Sequence, residues 1–301
     1  MSTSSPSFVA ARPSVWRRAA DYLALSKPKI MLMELVTVAA ATVAAVHGAP
    51  DARLLGHALL GTFLVAAGAS VGNQWLEWRS DALMDRTADR PLPSARMSRG
   101  EVAAFGAVVT LGGVAYLWTL VNPATAAIGA LTWFVYVCLY TPLKSRSTSN
   151  VTVGAVSGAL PILMGWTAAG RPLDVGAAVL FAVVFLWQFP HVMAVGWIYR
   201  RQYAAAGLRM VPVVDPSGRR AGRVATAGAL ALLPVSLLPA AIGMAGPWYL
   251  CWAAGLGLWQ ALRAFQFLAG RDDRTARALF RATLAYLPAL LTWIAVGLLR
   301  P

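Results

Sequence analysis

An all-α, polytopic membrane protein of nine transmembrane helices is the fold class that the sequence predicts, and three observations carry it. Apolar residues make up 58% of the 301-residue chain and charged residues only 13%, whereas a soluble domain carries about 25% charge. Nine apolar stretches approach the ~20 residues needed to cross the hydrocarbon of a bilayer. The 26 Lys and Arg residues are distributed so that alternate loops hold 23 of them.

Taken in order, the first 29 residues lack the apolar run of a cleavable signal. Residues 1–20 are expected to form a disordered cytoplasmic tail and residues 21–301 a single transmembrane domain. The helix at 30–47 follows five basic residues, Arg12, Arg17, Arg18, Lys27 and Lys29. Helices at 54–75 and 101–121 flank a loop with Arg79, Arg86, Arg90, Arg96 and Arg99. The helix at 124–141 runs into Lys144 and Arg146, ahead of helices at 150–169 and 174–198. Six arginines follow (200, 201, 209, 219, 220 and 223), then helices at 222–243 and 247–268. Five more (263, 271, 274, 277 and 281) precede the helix at 279–299. The opposite loops and the C-terminus hold only Arg53, Arg171 and Arg300. Positive charge stays cytoplasmic during insertion, so a multi-pass protein of the cell inner membrane is expected, N-terminus inside and C-terminus outside.

That asymmetry accounts for the net charge of +14 without nucleic acid. Cys138 and Cys251 both lie in apolar segments, giving neither a disulfide framework nor metal-ligand spacing, and are expected in the core. The two richest polar loops lie four helices apart, which hints at two four-helix halves and a ninth helix.

The stretch NQWLEWRSDALMDRTADRP, residues 73–91, contains Glu77, Asp81, Asp85 and Asp89, a third of the chain's twelve acids. Asn73, Glu77 and Asp81 recur every fourth residue, so on a helix an amide and two carboxylates share one face. Hard oxygen donors of this kind suit Mg²⁺, whose remaining positions phosphate and water fill. A solvated helix end with ion-paired acids is the plainer alternative. Arg86 and Arg90, Lys144 and Arg146, and Arg200 and Arg201 fall on the same side of the membrane. Together they could bind a diphosphate, guanidinium groups forking onto its oxygens and Lys acting as a point charge. A diphosphate at the mouth of a greasy bundle implies a substrate with an apolar tail, such as an isoprenyl diphosphate. Trp75, Trp78, Tyr136, Tyr140, Trp187, Trp197 and Tyr199 sit near these helix ends, where aromatics also serve as membrane-interface anchors.

Three blocks resemble the UbiA superfamily of intramembrane prenyltransferases, and within it the members that farnesylate heme. NQWLEWRSDALMDRTADRPLP is similar to N-x3-[DE]-x3-D-x2-M-x-R-T-x2-R-P, YTPLKSRSTSN to Y-T-x-L-K-R-x-T-x2-N, and PHVMAVGWIYRRQYAAAGLRMVP to P-H-x3-A…Y-x3-G-x2-M-x-P. The resemblance implies a UbiA-like helical fold around a central cavity and Mg²⁺-dependent ionisation of farnesyl diphosphate. It also implies transfer of farnesyl to a vinyl group of heme B, giving heme O, with a heme A synthase or an oxidase assembly factor as a partner. Metal binding and catalysis fall by position on Asn73, Glu77 and Asp81, and diphosphate binding on Arg86, Arg90, Lys144 and Arg146; Arg200 and Arg201 are diphosphate candidates by their side of the membrane alone.

Two departures from the pattern matter. Glu77 stands where Asp is usual, and Arg201 and Gln202 stand where acids precede the tyrosine. Either one Mg²⁺ suffices, with Arg201 supplying charge, or Asp85, Asp89 or Asp215 completes a second site. His191 beside Pro190 is the heme-binding candidate, because His47 and His57 flank an outer loop. Its alternative is a hydrogen bond to a neighbouring helix. Glu34, inside the first apolar segment, is a further candidate that could instead pair with a basic residue. An aromatic or quinone-precursor acceptor, and a transporter lined by these polar residues, are the competing functions.

Overall fold

A computed structural model describes residues 14–299, and among these every regular element is helical. Residues 1–13 of the expected tail lie outside the described residues, whereas Val15 onward is helix. The elements are α1 (Val15–Ser26), α2 (Pro28–Val46), α3 (Ala52–Asp81), α4 (Arg99–Leu120), α5 (Pro123–Leu143) and α6 (Asn150–Ala168). There follow α7 (Val175–Ile198), the short α8 (Arg200–Ala205) and α9 (Val211–Val214), then α10 (Arg219–Ala241), α11 (Pro247–Gly270) and α12 (Asp273–Leu299).

All nine apolar segments coincide with helices, but the count of membrane spans differs from nine. Among the described residues seven helices are long and apolar enough to cross a membrane, and the bent pair α1–α2 makes an eighth. The remaining one, α11, has the length, at 24 residues. Its Gln260, Arg263 and Gln266 dilute the apolar character that the other spans have.

The bundle is built around α6, the most buried of these spans. α2, α5 and α7 pack on it, α3 lies along α4, α10 and α12 close the far side against α7, and α11 packs on α10 and α12. Gly165 permits the tight α2–α6 crossing, since a Cβ there would stand only 2.3 Å from the Val38 carbonyl oxygen. The Thr42 hydroxyl reaches the Gly165 carbonyl at 3.0 Å at the same crossing. Outward faces stay greasy: Val108 and Leu111 of α4 and Leu258 and Phe265 of α11 are exposed, as suits lipid. Cys138 and Cys251, expected in the core, are exposed as well, because the helix faces that carry them look outward.

Three local features bring polar groups to one end of the bundle. α3 runs 30 residues, ~45 Å at ~1.5 Å per residue, so its last turns project past a ~30 Å hydrocarbon layer. Between α1 and α2, Lys27 takes a left-handed conformation (φ 50°, ψ 58°) and Pro28 starts the next helix. Such a conformation costs a non-glycine residue about 1–3 kcal/mol, and it turns Lys27 toward α3. In α5 the helix widens to π-type turns over Val135–Tyr140, ahead of Pro142, which has no N–H to continue the ladder.

Candidate active site

The acid ladder forms as its spacing requires. Asn73, Glu77 and Asp81 occupy the last turns of α3, and Asn73 Nδ2 donates to Glu77 Oε2 at 2.8 Å and to Thr141 Oγ1 at 3.1 Å. Lys27 Nζ donates to Asn73 Oδ1 at 3.0 Å. The Lys144 ammonium straddles the Glu77 carboxylate, 2.9 Å from Oε1 and 3.0 Å from Oε2, with hydrogen-bond geometry only toward Oε2. Asp81 is almost fully buried and is met by Arg90 Nη1 at 2.6 Å.

That last contact explains the extended first motif. After α3 the chain folds into consecutive turns in which the Thr87 hydroxyl donates to the Asp81 carbonyl at 2.8 Å, carrying Arg90 back over the ladder. Arg96 pins the loop to Asp21 and Asp89. The third block docks beside it: Gly207, at φ +68°, turns the chain so that Leu208 and Met210 pack on Met84. The Arg209 N–H then donates to the Lys144 carbonyl at 2.6 Å.

These elements enclose a cavity of about 180 Å³ lined by Asn73, Glu77, Asp81, Arg86, Arg90 and Lys144, together with Lys27, Tyr136, Tyr140 and Tyr203. Six of the sequence candidates therefore meet in one place. Four cations against two carboxylates leave the lining at +2 (4 − 2) when all are ionised. Burial, with Arg90 and Lys144 nearby, pushes the Lys27 ammonium down to about 7. Burial acts the same way on Lys144, but Tyr140, Glu77 and Tyr136 outweigh it and its net direction is upward. The Lys144 ammonium also lies over the Tyr140 ring at 4.7 Å, and the Arg86 guanidinium over Tyr199 at 5.0 Å.

The other candidates lie apart from this cavity. Arg146 and Arg201 are exposed. Arg200 is committed elsewhere: Nη1 donates to Asp273 Oδ1 and to the Trp197 carbonyl, both at 2.7 Å, tying α7 to the start of α12. Asp89 is engaged by Arg96, and Asp215 accepts from the Ser217 and Arg220 backbones, so neither faces the ladder. His191 packs between Trp187 and Phe280 at the α7–α12 contact, Nδ1 3.0 Å from Thr283 Oγ1. The Thr283 hydrogen goes to the Phe280 carbonyl, so Nδ1–H donates and Nε2 keeps a lone pair.

Sequence reasoning missed Lys27 as a site residue, having counted it only among the charges that set topology. Tyr203, inside the third motif, gave a signal that went unused. Tyr136 and Tyr140, for which cavity lining and interface anchoring were the alternatives, line the cavity.

The lining fits a divalent cation bound together with a substrate. Glu77 Oε1 is buried and accepts no hydrogen bond, and Asp81 offers a second buried carboxylate four residues on. Among the described residues no three acid, His or Cys side chains could hold a metal alone. Mg²⁺ is commonly held by one or two carboxylates plus substrate phosphate.

With this geometry in view, comparison with known proteins defines the class: residues 35–295 match the UbiA prenyltransferase family, and the chain belongs to that family. Curated relatives are protoheme IX farnesyltransferases. That of Solibacter usitatus (strain Ellin6076) is 41% identical over 283 residues, covering 90% of this chain and 96% of the relative. That of Anaeromyxobacter sp. (strain Fw109-5) is 42% identical over 289 residues, covering 95% and 96%. Solved structures share the fold: a digeranylgeranylglyceryl phosphate synthase superposes with TM-score 0.79 at 17% identity over 95% of this chain and 100% of that one. A UbiA homolog from Archaeoglobus fulgidus bound to DMAPP and Mg²⁺ gives TM-score 0.66 at 16% identity over 92% and 99%.

Proposed function

We propose that the protein transfers a farnesyl group from farnesyl diphosphate to a vinyl group of heme B, giving heme O. The observation that carries the chemistry is the convergence of Glu77, Asp81, Lys27, Arg86, Arg90 and Lys144 on one small cavity at the end of a membrane bundle. The curated relatives, named for farnesyl transfer to protoheme IX, support the choice of substrates.

The diphosphate occupies the cation-lined cavity. Asn73, Glu77 and Asp81 would hold Mg²⁺, which when bound neutralises charge on the departing diphosphate. Lys144 and Arg90, now paired with Glu77 and Asp81, are placed to exchange those carboxylates for phosphate oxygens. Lys27 and Arg86 add donors from two further elements. All of these groups stabilise the leaving group more as its charge grows, so they lower the barrier rather than only improving binding.

Behind the first cavity a second one, of about 220 Å³, extends into the bundle and shares Lys27, Ile30, Tyr136 and Tyr140 with it. Ligand pockets for compact molecules run about 300–1,000 Å³. The inner cavity therefore suits a prenyl chain and the tip of an acceptor, not a macrocycle. At the neck the Tyr136 and Tyr140 rings lie 5.3 Å apart, where aromatic rings would stabilise the allylic cation. His191 lines neither cavity; its Nε2, with a lone pair free of Thr283, is the candidate heme-iron ligand on its chemistry alone.

Residues 21–301 act as a single transmembrane domain, with the site on the cytoplasmic face of the inner membrane, the N-terminus on that side and the C-terminus outside. The charge asymmetry of the loops supports this orientation.

The test is mass spectrometry of the pigments formed by purified protein given heme B, farnesyl diphosphate and Mg²⁺. A farnesylated heme is expected. Farnesylation of a quinone precursor with heme B untouched would overturn the assignment.

A further inference from the structure

We propose that Glu34 is the catalytic proton acceptor of the reaction, taking a proton from a water that adds to the cation left on the acceptor. This rests on the farnesyl transfer proposed above.

The inner cavity is not what a hydrocarbon tail alone calls for. Besides apolar side chains it is lined by Glu34 and Thr62 and by further polar residues, among them Lys27, Ser70, Ser157 and Gln188. Thr62 is 2% exposed and its Oγ1 has no hydrogen-bond partner among the described residues. Among the described residues Glu34 has one charged neighbour, the through-space Lys27, and none hydrogen-bonds it. An unpaired acid on a membrane-spanning helix is expensive to keep, and nothing about its packing on α2 requires one.

Its position suits the reaction. Glu34 lies seven residues beyond Lys27 on α2, ~10 Å deeper at ~1.5 Å per residue. Side chains on a helix lean toward its N-terminus, which brings the carboxyl back toward the neck formed by Lys27, Tyr136 and Tyr140. The transferred carbon of a prenyl diphosphate seated in the outer cavity enters through that neck.

The chemistry needs such a group. As the C1–O bond of farnesyl diphosphate breaks, its electron pair leaves with the diphosphate and the vinyl π electrons form the new bond to C1. Positive charge then sits on the vinyl carbon attached to the porphyrin. That cation is discharged either by loss of a proton from the adjacent new CH2, which gives an alkene, or by addition of a nucleophile, and a polar pocket holding water favours addition. A water held between Glu34 and Thr62 has the polar partners a buried water needs. Its oxygen bonds to the cationic carbon and one of its protons passes to the Glu34 carboxylate. The product is a secondary alcohol, and Glu34 returns its proton to solvent after product release. Water fixed at one point inside the cavity is distinct from bulk water at the mouth, which the seated diphosphate excludes.

The experiment is turnover of wild-type, Glu34→Gln and Glu34→Asp proteins with heme B, farnesyl diphosphate and Mg²⁺ in ¹⁸O-water. The wild type is expected to give an alcohol carrying ¹⁸O. In Glu34→Gln, kcat falls by about 100-fold, the low end of what general-base groups supply, while KM for farnesyl diphosphate is unchanged. Residual product shifts toward the alkene, lighter by one water, and Glu34→Asp recovers part of the alcohol. Titration with farnesyl thiodiphosphate, expected to bind both proteins alike, establishes that the variant is folded. Alcohol formed by Glu34→Gln at the wild-type rate would overturn the proposal, as would a loss confined to KM, which marks a mere counter-ion of Lys27. Farnesylated heme without ¹⁸O from the wild type sinks the Glu34 assignment alone. No farnesylated heme from the wild type sinks the transfer itself, and Glu34 with it.

Discussion

Replacing Asp81 by Asn separates what its carboxylate does for the fold from what it does for the reaction. Arg90 Nη1 lies 2.6 Å from Asp81 Oδ2, with the aspartate side chain 1% exposed and the arginine 21%. Losing one member of a fully buried pair costs about 3–5 kcal/mol, and a charge-assisted hydrogen bond is worth about 1.5–3 kcal/mol. Arg90 keeps some contact with solvent, so Asp81→Asn should cost about 2–3 kcal/mol of stability, at the lower end of the buried-pair range. Asp81→Asn combined with Arg90→Gln leaves no orphaned charge and should return to within about 1 kcal/mol of the parent. Activity should not follow. Removing a group that only orients a metal ligand already costs about 10–100-fold, so a direct ligand should cost at least that, in both the single and the double variant. The assay pairs chemical unfolding in detergent with Mg²⁺-dependent turnover of farnesyl diphosphate. If the double variant recovered activity along with stability, Asp81 would be a partner for Arg90 and nothing more.

Other consequences follow from the same geometry. Lys27→Met removes a donor that reaches the head of the ladder and should lower kcat/KM for farnesyl diphosphate about 10–150-fold, the equivalent of one charge-assisted contact. An unchanged kcat/KM in steady-state kinetics would remove Lys27 from the site. Arg201→Ala should alter turnover by less than about twofold, as for a solvated charge, because Arg201 is exposed and does not line the cavity. A tenfold loss would show the 199–210 segment closing over the substrate. Gly165→Ala places a Cβ 2.3 Å from the Val38 carbonyl oxygen and should destabilise the bundle by about 1–3 kcal/mol, seen as a lower Tm. An unaltered Tm would contradict the α2–α6 crossing.

The part of the site legible in the sequence was the part that helical periodicity determines. Asn73, Glu77 and Asp81 fall on one face because α3 continues unbroken past the hydrocarbon, and spacing alone reveals that. Arg86, Arg90 and Lys144 came from motif resemblance and loop sidedness, and they meet because the turns after α3 and the π-type end of α5 fold inward. Lys27 was not legible as a ligand: its role depends on a left-handed turn between two helices, which a Lys-Pro pair does not announce. Arg146, Arg200 and Arg201 were drawn in for the opposite reason. Basic residues concentrate in these loops to satisfy insertion topology, so charge there does not separate a phosphate ligand from an anchor such as Arg200, which holds α12 to α7. The nine-span count is not met at α11, where Gln260, Arg263 and Gln266 interrupt a segment counted for its apolar length.

The most direct test of the site is calorimetric titration of farnesyl thiodiphosphate, which cannot ionise readily, into purified wild-type and Glu77→Gln proteins, each with Mg²⁺ and again with a chelator. A cavity that holds diphosphate through a metal on Asn73, Glu77 and Asp81 requires tight binding by the wild type with Mg²⁺. It also requires weakening by about tenfold or more, the cost of losing even a group that only orients a metal ligand, on chelation or on loss of the Glu77 charge. Equal affinity in all four titrations would contradict it, leaving the cations to bind diphosphate alone and the acid ladder without a metal.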